Sequence, residues 1–188
     1  MKVTKAQVRE NRERIVETAS KLFRERGYDG VGVAELMAAA GFTHGGFYKH
    51  FGSKADLIAE AAACSFAKST AQTAETDIND FIQRYLSREH RDTPGQGCTM
   101  AALCADAGRQ SDLIKQTFAE GIEHQLATFA DKDAGLNPTE QRDARANRIM
   151  AIAQAVGALV LSRSCPDDSA LADEILDVCR SQMLKPQK

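Results

Sequence analysis

Tryptophan is absent from this chain of 188 residues, proline occurs only 4 times, and aromatic residues make up 6% of the total. The chain also lacks any apolar run that approaches the length needed to cross a bilayer, and residues 1–10 hold no apolar core of the kind a secretory signal has. These absences argue against both a membrane protein and a secreted protein. Because 43% of the residues are hydrophobic, the chain can bury a core, and we expect a folded cytoplasmic protein with no membrane partner.

The cysteines and histidines form no recognisable disulfide framework or metal site. Five cysteines are an odd number, and no two of them form a C-x-x-C pair. The four histidines, His44, His50, His90 and His124, are scattered, and no two of them lie four residues apart with a third ligand nearby. We therefore expect reduced thiols, no metal and no cofactor.

The net charge of −2 does not exclude a nucleic-acid partner, because it averages two unlike halves of the chain. Residues 1–63 hold 10 Lys and Arg against 8 Asp and Glu, a net charge of +2. The remainder holds 14 against 18, a net charge of −4. The local excess of cations is small, so the positions of the cations, and not their number, must show whether residues 1–63 bind nucleic acid.

Apolar residues recur at helical spacing along the chain, while alternating strand patterns are rare, and this predicts an all-α fold. Segment 5–26 is one amphipathic helix that Gly27 ends, and Ser53 with Asp56 forms a capping-box pattern at the start of a long helix. The predicted helices are 5–26, 33–40, 44–50, 54–73, 77–90, 99–109, 112–131, 138–164 and 168–184. Loops are predicted at 91–97 and 132–137.

Residues 33–51 contain the pattern that points to function. Two short predicted helices flank a glycine turn at Gly41, as a helix-turn-helix requires. Thr43 can cap the second helix, which places the first residues of that helix, His44, Gly45 and Gly46, at the end that approaches base edges. Paired glycines cost a short helix roughly 1 kcal/mol each relative to alanine, and close approach to DNA is one feature that would offset this cost.

A cluster of polar side chains follows these glycines. They are groups that can hydrogen-bond or neutralise phosphates: Tyr48, Lys49, His50 and Lys54. Lys54 also lies in the first turn of the capped helix, whose free N–H groups and dipole favour an anion.

Three segments of this region, 27–28, 36–41 and 46–57, resemble the TetR family of one-component bacterial regulators. The family's usual pattern, G-x-x-Y-x-H-F-x-S-K-x-x-L, is found at residues 45–57. The resemblance covers about residues 10–60. One departure is Gly32, where the family commonly has a Ser or Thr that caps the second helix and touches a phosphate.

The resemblance implies a three-helix, helix-turn-helix DNA-binding domain over residues 1–55 and a larger helical effector-binding and dimerisation domain over residues 56–188. It implies that His44, Gly45 and Gly46 read bases, and that Thr43, Tyr48, His50 and Lys54 contact phosphates. The implied partners are double-stranded operator DNA, a second copy of the chain and an unidentified small-molecule effector that releases a repressor.

Residues 149–161 are apolar nearly all round, so their helix must be buried on more than one face. Pairing with a second chain explains this pattern, and a core helix of a monomer is the alternative. The predicted dimer interface consists of Ile152, Val156, Leu159, Val160, Leu171 and Ile175.

An effector pocket is implied by the resemblance, between the predicted helices that start near 77, 99 and 112. Its expected lining is Phe81, Tyr85, Met100, Leu103, Phe118 and Ile122. The alternative for each of these residues is a place in an ordinary core.

Cys98 follows Gly97 at a predicted helix start, where the helix dipole favours a thiolate, and Cys104 lies six residues later. A thiol-gated regulator is therefore an alternative to one gated by a ligand. An enzyme that uses either cysteine with a histidine is a further alternative, but the chain contains no G-x-S-x-G, H-E-x-x-H or glycine-rich phosphate loop. We expect no enzyme activity and no catalytic residue.

Overall fold

A computed structural model of the chain describes residues 4–74, 76–128 and 135–185. Every regular element in these ranges is helical, so the predicted all-α fold is confirmed. The α-helices are α1 (Lys5–Arg26), α2 (Val33–Ala39), α3 (Lys54–Ala74), α4 (Ile78–Tyr85), α5 (Arg88–Asp92), α6 (Thr99–Ala107), α7 (Asp112–Ala127), α8 (Pro138–Arg163) and α9 (Ala170–Met183). Two short 3-10 helices are η1 (His44–Lys49) and η2 (Pro94–Gln96). None of the described helices combines the length and the hydropathy that a membrane span needs.

Helix α1 has the bounds that its amphipathic pattern predicts. It begins after Thr4, whose hydroxyl accepts a hydrogen bond from the Gln7 N–H at 3.2 Å. It ends at Gly27, where φ is 73°, and Gly41 has a φ of 84° in the turn between α2 and η1. Residues with a Cβ rarely adopt this left-handed backbone, so glycine is the residue that both turns require.

The predicted helix 77–90 is wrong as a single element. The chain leaves α4 at Leu86, and a new helix, α5, begins after Ser87. The Ser87 hydroxyl accepts a hydrogen bond from the His90 N–H at 3.1 Å, which satisfies a donor that a fresh helix start would leave free. The predicted loop 91–97 likewise contains the end of α5 and η2. The predicted helix end at 131 and part of the loop 132–137 lie outside the described residues.

The long helix α3 joins the N-terminal elements to the rest of the chain. The Ser53 hydroxyl accepts the Asp56 N–H at 3.1 Å, which is the N-terminal half of the predicted capping box. Farther along, Phe66 packs against Gly121 of α7 so closely that an added Cβ at Gly121 would lie 2.3 Å from the Phe66 ring. The glycine therefore sets how near α7 comes to α3.

Two clusters of buried side chains form the core of the described chain. The first runs from α1 and α2 through η1 and α3 to α6 and α7, from Ile15 to Phe118. The second joins α4, α8 and α9 around Leu86, Leu159 and Leu176. Since the first cluster continues across residue 55, the N-terminal elements share buried apolar surface with the body of the molecule.

Candidate nucleic-acid interface and adjoining cavity

The backs of α2 and η1 are pinned to the first core cluster. Leu36, Met37, Phe47 and Phe51 are each at most 3% exposed. The rings of Phe47 and Phe51 lie 5.5 Å apart, and this pair fixes the short helix η1 from its inner side. The opposite side of η1 therefore faces away from the protein in a fixed orientation.

Residues 43–46 form the exposed start of η1. The Thr43 carbonyl accepts the Gly46 N–H at 2.9 Å, so Thr43 occupies the cap position that the sequence predicts. Its hydroxyl makes no capping hydrogen bond, which corrects the expectation that the side chain itself caps the helix. Thr43, His44 and Gly45 are all exposed, so their outward groups are available to an external partner.

The glycine pair at 45 and 46 is not required by packing within the chain. A Cβ added at Gly45 would meet nothing within 4 Å, and one at Gly46 would make only ordinary contacts, at 3.6 Å from Met37 Cε and 3.7 Å from Thr43 Oγ1. Neither glycine has a positive φ. Neither packing among the described residues nor backbone conformation therefore explains the two adjacent glycines.

Tyr48 and Lys49 extend this exposed face. Tyr48 is 69% exposed although its ring packs edge-on against Phe47, with the ring centroids 5.2 Å apart. Lys49 is exposed and forms no ion pair within the described ranges. A large exposed phenol beside an unneutralised cation suits contact with a phosphate backbone.

His50 lies half-buried at the end of η1. Burial, followed by the neighbouring Arg12 and Lys49 cations, lowers the pKa of His50 below its ordinary value of 6.5. His50 is therefore mostly neutral at pH 7, where its ring acts as a hydrogen-bonding group rather than a cation.

Lys54 is also half-buried, and its ammonium group already has a partner within the chain. The Lys54 Nζ donates to the Tyr28 carbonyl at 2.5 Å, in the loop after α1. Lys54 thus ties the start of α3 to that loop. The Lys54 charge therefore lies near the exposed face, but one of its hydrogen bonds is already made to the Tyr28 carbonyl.

Arg12 is a residue of this site that the sequence analysis did not identify. From α1 it donates to the His50 carbonyl and pairs with Glu60, and its guanidinium lies 4.3 Å from the centre of the Phe51 ring. These contacts position the end of η1 against α1 and α3. The partners are 38 to 48 residues away in sequence, so no local pattern could reveal them.

The loop after α1 is anchored to the body by α6. Asp106 Oδ2 accepts the Tyr28 N–H at 3.0 Å. Arg24, near the end of α1, donates to the Gly95 carbonyl through Nε at 3.1 Å and through Nη2 at 2.6 Å. The N-terminal elements are therefore held by polar contacts at both ends of the segment 95–106.

A cavity of about 610 Å³ lies between α4, α6, α7, α8 and α9. Phe81, Tyr85 and Met100 line it, as the sequence predicts for an effector pocket. Leu103 and Phe118 are instead buried in the first core cluster, and Ile122 packs against that cluster, so these three do not line the cavity. Helix α8, which the sequence did not mark as part of a pocket, also lines the cavity with Arg148, Ile152 and Val156 among others.

Helices α8 and α9 present an apolar outer surface. Its exposed members include Val160 at 44%, Leu161 at 58%, Leu171 at 53% and Val178 at 53%. A Cβ added at Gly157 would meet nothing within 4 Å, so this surface has room for a close neighbour.

The predicted dimer residues fall on more than one side of these helices, which is a correction to the sequence analysis. Val160 and Leu171 are exposed, but Leu159 is 0% exposed and has no surface left for a partner. Ile152 and Val156 line the cavity, and Ile175 packs on the second core cluster. Because α8 is apolar nearly all round, its pattern could not show which side faces outward.

Cys98 lies at the N-terminal cap of α6 with partly exposed surface. His90 cannot act as its base in this conformation, since both ring nitrogens are occupied: Nε2 accepts the Cys98 N–H at 3.1 Å and Nδ1 donates to the Tyr85 carbonyl at 2.7 Å. Burial, with the nearby Cys98, raises the pKa of the Cys104 thiol to about 11. No cluster of three metal-ligating side chains occurs in the part of the chain that the structure describes.

The N-terminal part of the chain is similar to a known family of proteins. Residues 15–61 match the sequence model of a family described as bacterial regulatory proteins, tetR family. The HTH-type transcriptional repressor DhaR of Mycobacterium sp. strain GP1 is 27% identical over 125 residues, which are 63% of this chain and 63% of DhaR. The match thus spans less than two thirds of that relative.

Two solved structures share the fold over nearly the whole chain. The reduced form of NemR from E. coli is 18% identical with a TM-score of 0.71, covering 93% of this chain and 95% of NemR. A TetR-family regulator from Cytophaga hutchinsonii is 17% identical with a TM-score of 0.70, covering 100% of both chains. At these identities the likeness concerns the fold alone.

Proposed function

We propose, from the premise that this chain belongs to the TetR family of bacterial regulatory proteins, that it is a homodimeric repressor that a small molecule releases from operator DNA. In this proposal residues 1–55 bind DNA, and residues 56–188 bind the effector and the second copy. Its relative DhaR is named as a transcriptional repressor.

One observation carries the DNA-binding part: the start of η1 is exposed and lacks side chains at Gly45 and Gly46, although no contact among the described residues requires glycine there. The open space at Gly45 lets a DNA groove approach the backbone closely. His44, Gly45 and Gly46 then face base edges. Thr43, Tyr48, Lys49, His50 and Lys54 surround them as phosphate contacts, with Lys54 shared between a phosphate and the Tyr28 carbonyl.

The second copy is expected on the outer surface of α8 and α9. Four large apolar side chains there are between 44% and 58% exposed, which favours an association surface over a solvated one. A two-fold axis through this surface would give the dimer two η1 helices, which could enter successive major grooves roughly 34 Å apart.

Release requires that the effector and the operator prefer different conformations. Helix α6 is suited to link them, because Met100 near its start lines the cavity and Asp106 near its end holds the Tyr28 N–H. A ligand that shifts α6 would therefore shift the loop that precedes α2. The effector sought is small and largely apolar, since aromatic and aliphatic side chains dominate the cavity wall.

The test is a fluorescence-anisotropy titration of the full chain against the DNA upstream of its own gene, over a series of salt concentrations. The double variant Tyr48→Ala, Lys49→Ala removes two exposed groups of the candidate interface. We expect its affinity to fall at least about tenfold and its salt slope to fall by about one.

Lys115→Ala is the matched control, because Lys115 is an equally charged side chain on α7, 50% exposed and away from η1. We expect it to bind as the parent chain does. If the double variant and the control bound with the same affinity and salt slope as the parent, the proposed interface would be refuted.

A further inference from the structure

We propose that His90 is a positioning residue whose ring links the cavity wall to the start of α6, and that tight binding of operator DNA requires this link. The proposal rests on the function proposed above and names a residue through which the cavity acts on the DNA-binding elements. One ring makes both contacts: Nδ1 bonds to the carbonyl of Tyr85, which lines the cavity, and Nε2 bonds to the N–H of Cys98, which caps α6. We call these two hydrogen bonds the His90 bridge.

The partners of the His90 bridge fix where the ring carries its hydrogen. The Tyr85 carbonyl can only accept, so Nδ1 carries the hydrogen and donates it over 2.7 Å. The Cys98 N–H can only donate, so Nε2 is the unprotonated nitrogen and accepts over 3.1 Å. A second proton would occupy Nε2, so the bridge exists only in the neutral ring.

The backbone and the ring of His90 are held in this orientation from several sides. The His90 N–H donates to the Ser87 hydroxyl at 3.1 Å, and the His90 carbonyl accepts from Arg163 Nη2 of α8 at 2.8 Å. The ring also packs against the ring of Tyr85, with the centroids 4.7 Å apart. The bridge therefore belongs to a packed junction of α4, α5 and α8.

Gly97 leaves the space that the His90 bridge needs. A Cβ added there would lie 2.8 Å from Nε2 and 3.0 Å from Cδ2 of His90. The φ of Gly97 is −90°, which any residue adopts, so the close approach of the ring and not the backbone requires this glycine. A larger residue at 97 would displace the ring from the Cys98 N–H.

A second proton on the His90 ring would find no anion to stabilise it. Burial, with the Arg163 cation as a further cause, lowers the pKa of His90 below its ordinary value of 6.5, although the Tyr85 carbonyl acts in the opposite direction. Among the described residues no carboxylate pairs with the ring, and Asp92 pairs with two arginines of α5 itself. The titratable groups that face or flank the ring are Tyr85 of α4, Cys98 before α6, Arg163 of α8, and Glu89, Arg91 and Asp92 of α5.

Two further contacts carry a movement of the bridged segment to the N-terminal elements. Arg24 of α1 donates twice to the Gly95 carbonyl, at 3.1 and 2.6 Å, three residues before Cys98. At the other end of α6, Asp106 accepts the Tyr28 N–H at 3.0 Å. Release of the Cys98 N–H frees the chain between these two anchors, so the N-terminal elements lose part of their fixed orientation.

The His90 bridge can be broken from the cavity or by acid. A ligand that displaces Tyr85 draws the ring away from Cys98, and a proton on Nε2 has the same effect without a ligand. Because the pKa of His90 is lowered in the folded chain, the bridge is complete above pH 6.5 and is lost as the pH falls below that value. Acid therefore serves as a probe of the bridge while the effector is unidentified.

Two substitutions separate the halves of the bridge. His90→Gln places a carbonyl oxygen near the position of Nε2, so it can still accept the Cys98 N–H, and it has no proton to gain. His90→Asn places an N–H near the position of Nδ1 and leaves no acceptor for Cys98. The Phe118 amide, in the middle of α7, is the internal control for opening of the whole chain.

Hydrogen exchange of single amides in the full chain without DNA, corrected for the intrinsic effect of pH, is the first measurement. At about pH 7.5, His90→Asn should lower the protection of the Cys98 amide at least about tenfold, and His90→Gln should stay within a few-fold of the parent. Between about pH 7.5 and 5, protection of this amide relative to Phe118 should fall several-fold in the parent and stay constant in His90→Gln. A role in stability alone would not give the parent and His90→Gln different pH profiles.

Operator affinity of the same three chains at about pH 7.5 is the second measurement. His90→Asn should bind at least about tenfold more weakly than the parent, and His90→Gln should bind within a few-fold of it. Equal protection of Cys98 in the parent and His90→Asn, equal pH profiles in the parent and His90→Gln, or a freed Cys98 amide with parental DNA affinity would each overturn the proposal. A parent chain that binds no DNA would overturn the proposed function, whereas the exchange rates would still show whether the bridge holds Cys98.

Discussion

At the scale of single residues, the most informative feature is a glycine that the fold does not need. Gly45 has ordinary backbone angles and open space around its missing Cβ. Alanine loses less conformational freedom on folding, so Gly45→Ala should stabilise the free chain by about 0.5–1 kcal/mol and raise Tm by roughly 1–4 °C. On DNA the added methyl group faces the groove, and we expect the affinity to fall at least about tenfold.

Thermal unfolding and anisotropy titrations of the same Gly45→Ala preparation check both halves of this prediction. Stability and DNA affinity are expected to change in opposite directions. A variant that is more stable but binds DNA more weakly has kept its fold and lost a contact with DNA. Unchanged affinity would show that DNA does not approach Gly45 closely.

His50 gives the candidate interface a pH dependence whose sign follows from its lowered pKa. The free chain holds His50 neutral at pH 7, whereas a phosphate beside it would favour the protonated ring. Binding should therefore take up a proton, and affinity should rise by a few-fold as the pH falls from about 8 to 6. His50→Gln should flatten this rise, whereas His44→Gln, made separately, measures the contribution of the other imidazole.

The titrations must stay above about pH 6, because the same shift affects stability. A histidine with a lowered pKa binds fewer protons in the folded chain than in the unfolded one. Its contribution to stability is therefore lost as the pH falls below 6.5, the ordinary value. If the His50→Gln variant had the same pH profile of binding as the parent, the proposal that His50 contacts a phosphate would be refuted.

At the scale of helices, α2 starts without a side-chain cap. Gly32 has φ −83° and ψ 155°, which are angles that a capping serine adopts, and a Cβ there would meet nothing within 4 Å. Gly32→Ser should stabilise the chain by a few tenths of a kcal/mol, and its hydroxyl should add a phosphate contact that raises DNA affinity a few-fold.

Gly32→Ala is the matched control, because it adds the Cβ without an oxygen. Circular dichroism melts and DNA titrations of both variants separate the capping effect from the effect of the methyl group. An equal gain in affinity for both variants would argue against a hydroxyl contact at this position.

Helices also show how much could be read from the sequence. The bounds of α1 and α3 were predictable because each has an inward stripe with a cap or a glycine at its end. The break at Ser87 was not, since a serine capping a new helix and a serine within a helix look alike without tertiary contacts. The side of α8 that faces outward was unpredictable for a different reason: an all-round apolar helix has no polar side to mark it.

The candidate interface was likewise predictable from the sequence only in part. The exposure of residues 43–45 and 48–49 followed from the order of helix, glycine turn and aromatic pair. The roles of Arg12 and Asp106 did not, because each acts on a backbone group 38 or 78 residues away. Long-range hydrogen bonds of this kind leave no periodic signal in the sequence.

At the scale of the whole molecule, Asp106 connects the N-terminal elements to the body. Its carboxylate accepts the Tyr28 N–H at 3.0 Å, and a hydrogen bond to a charged group contributes about 1.5–3 kcal/mol. Asp106→Ala should therefore speed hydrogen exchange of the Tyr28 amide by at least about tenfold. In Asp106→Asn, which keeps an acceptor oxygen, the exchange rate of the Tyr28 amide should lie between those of the parent and Asp106→Ala. Equal exchange rates in all three chains would show that Asp106 does not hold the Tyr28 amide in solution.

Dimerisation is the property on which the whole-molecule proposal depends most, because a single η1 can read only half of a two-fold operator. Leu171→Glu places a charge on the outer surface of α9, where the leucine is 53% exposed. A buried charge without a partner costs several kcal/mol, so the dimer should dissociate, with operator affinity falling at least about a hundredfold.

Leu113→Glu is the matched control, since Leu113 is 52% exposed on α7, away from that surface. Sedimentation equilibrium should show a monomer for Leu171→Glu and a dimer for Leu113→Glu, both with parental helix content. If Leu171→Glu remained a dimer with full affinity, the second copy would have to bind elsewhere, and the spacing of the two η1 helices would need another axis.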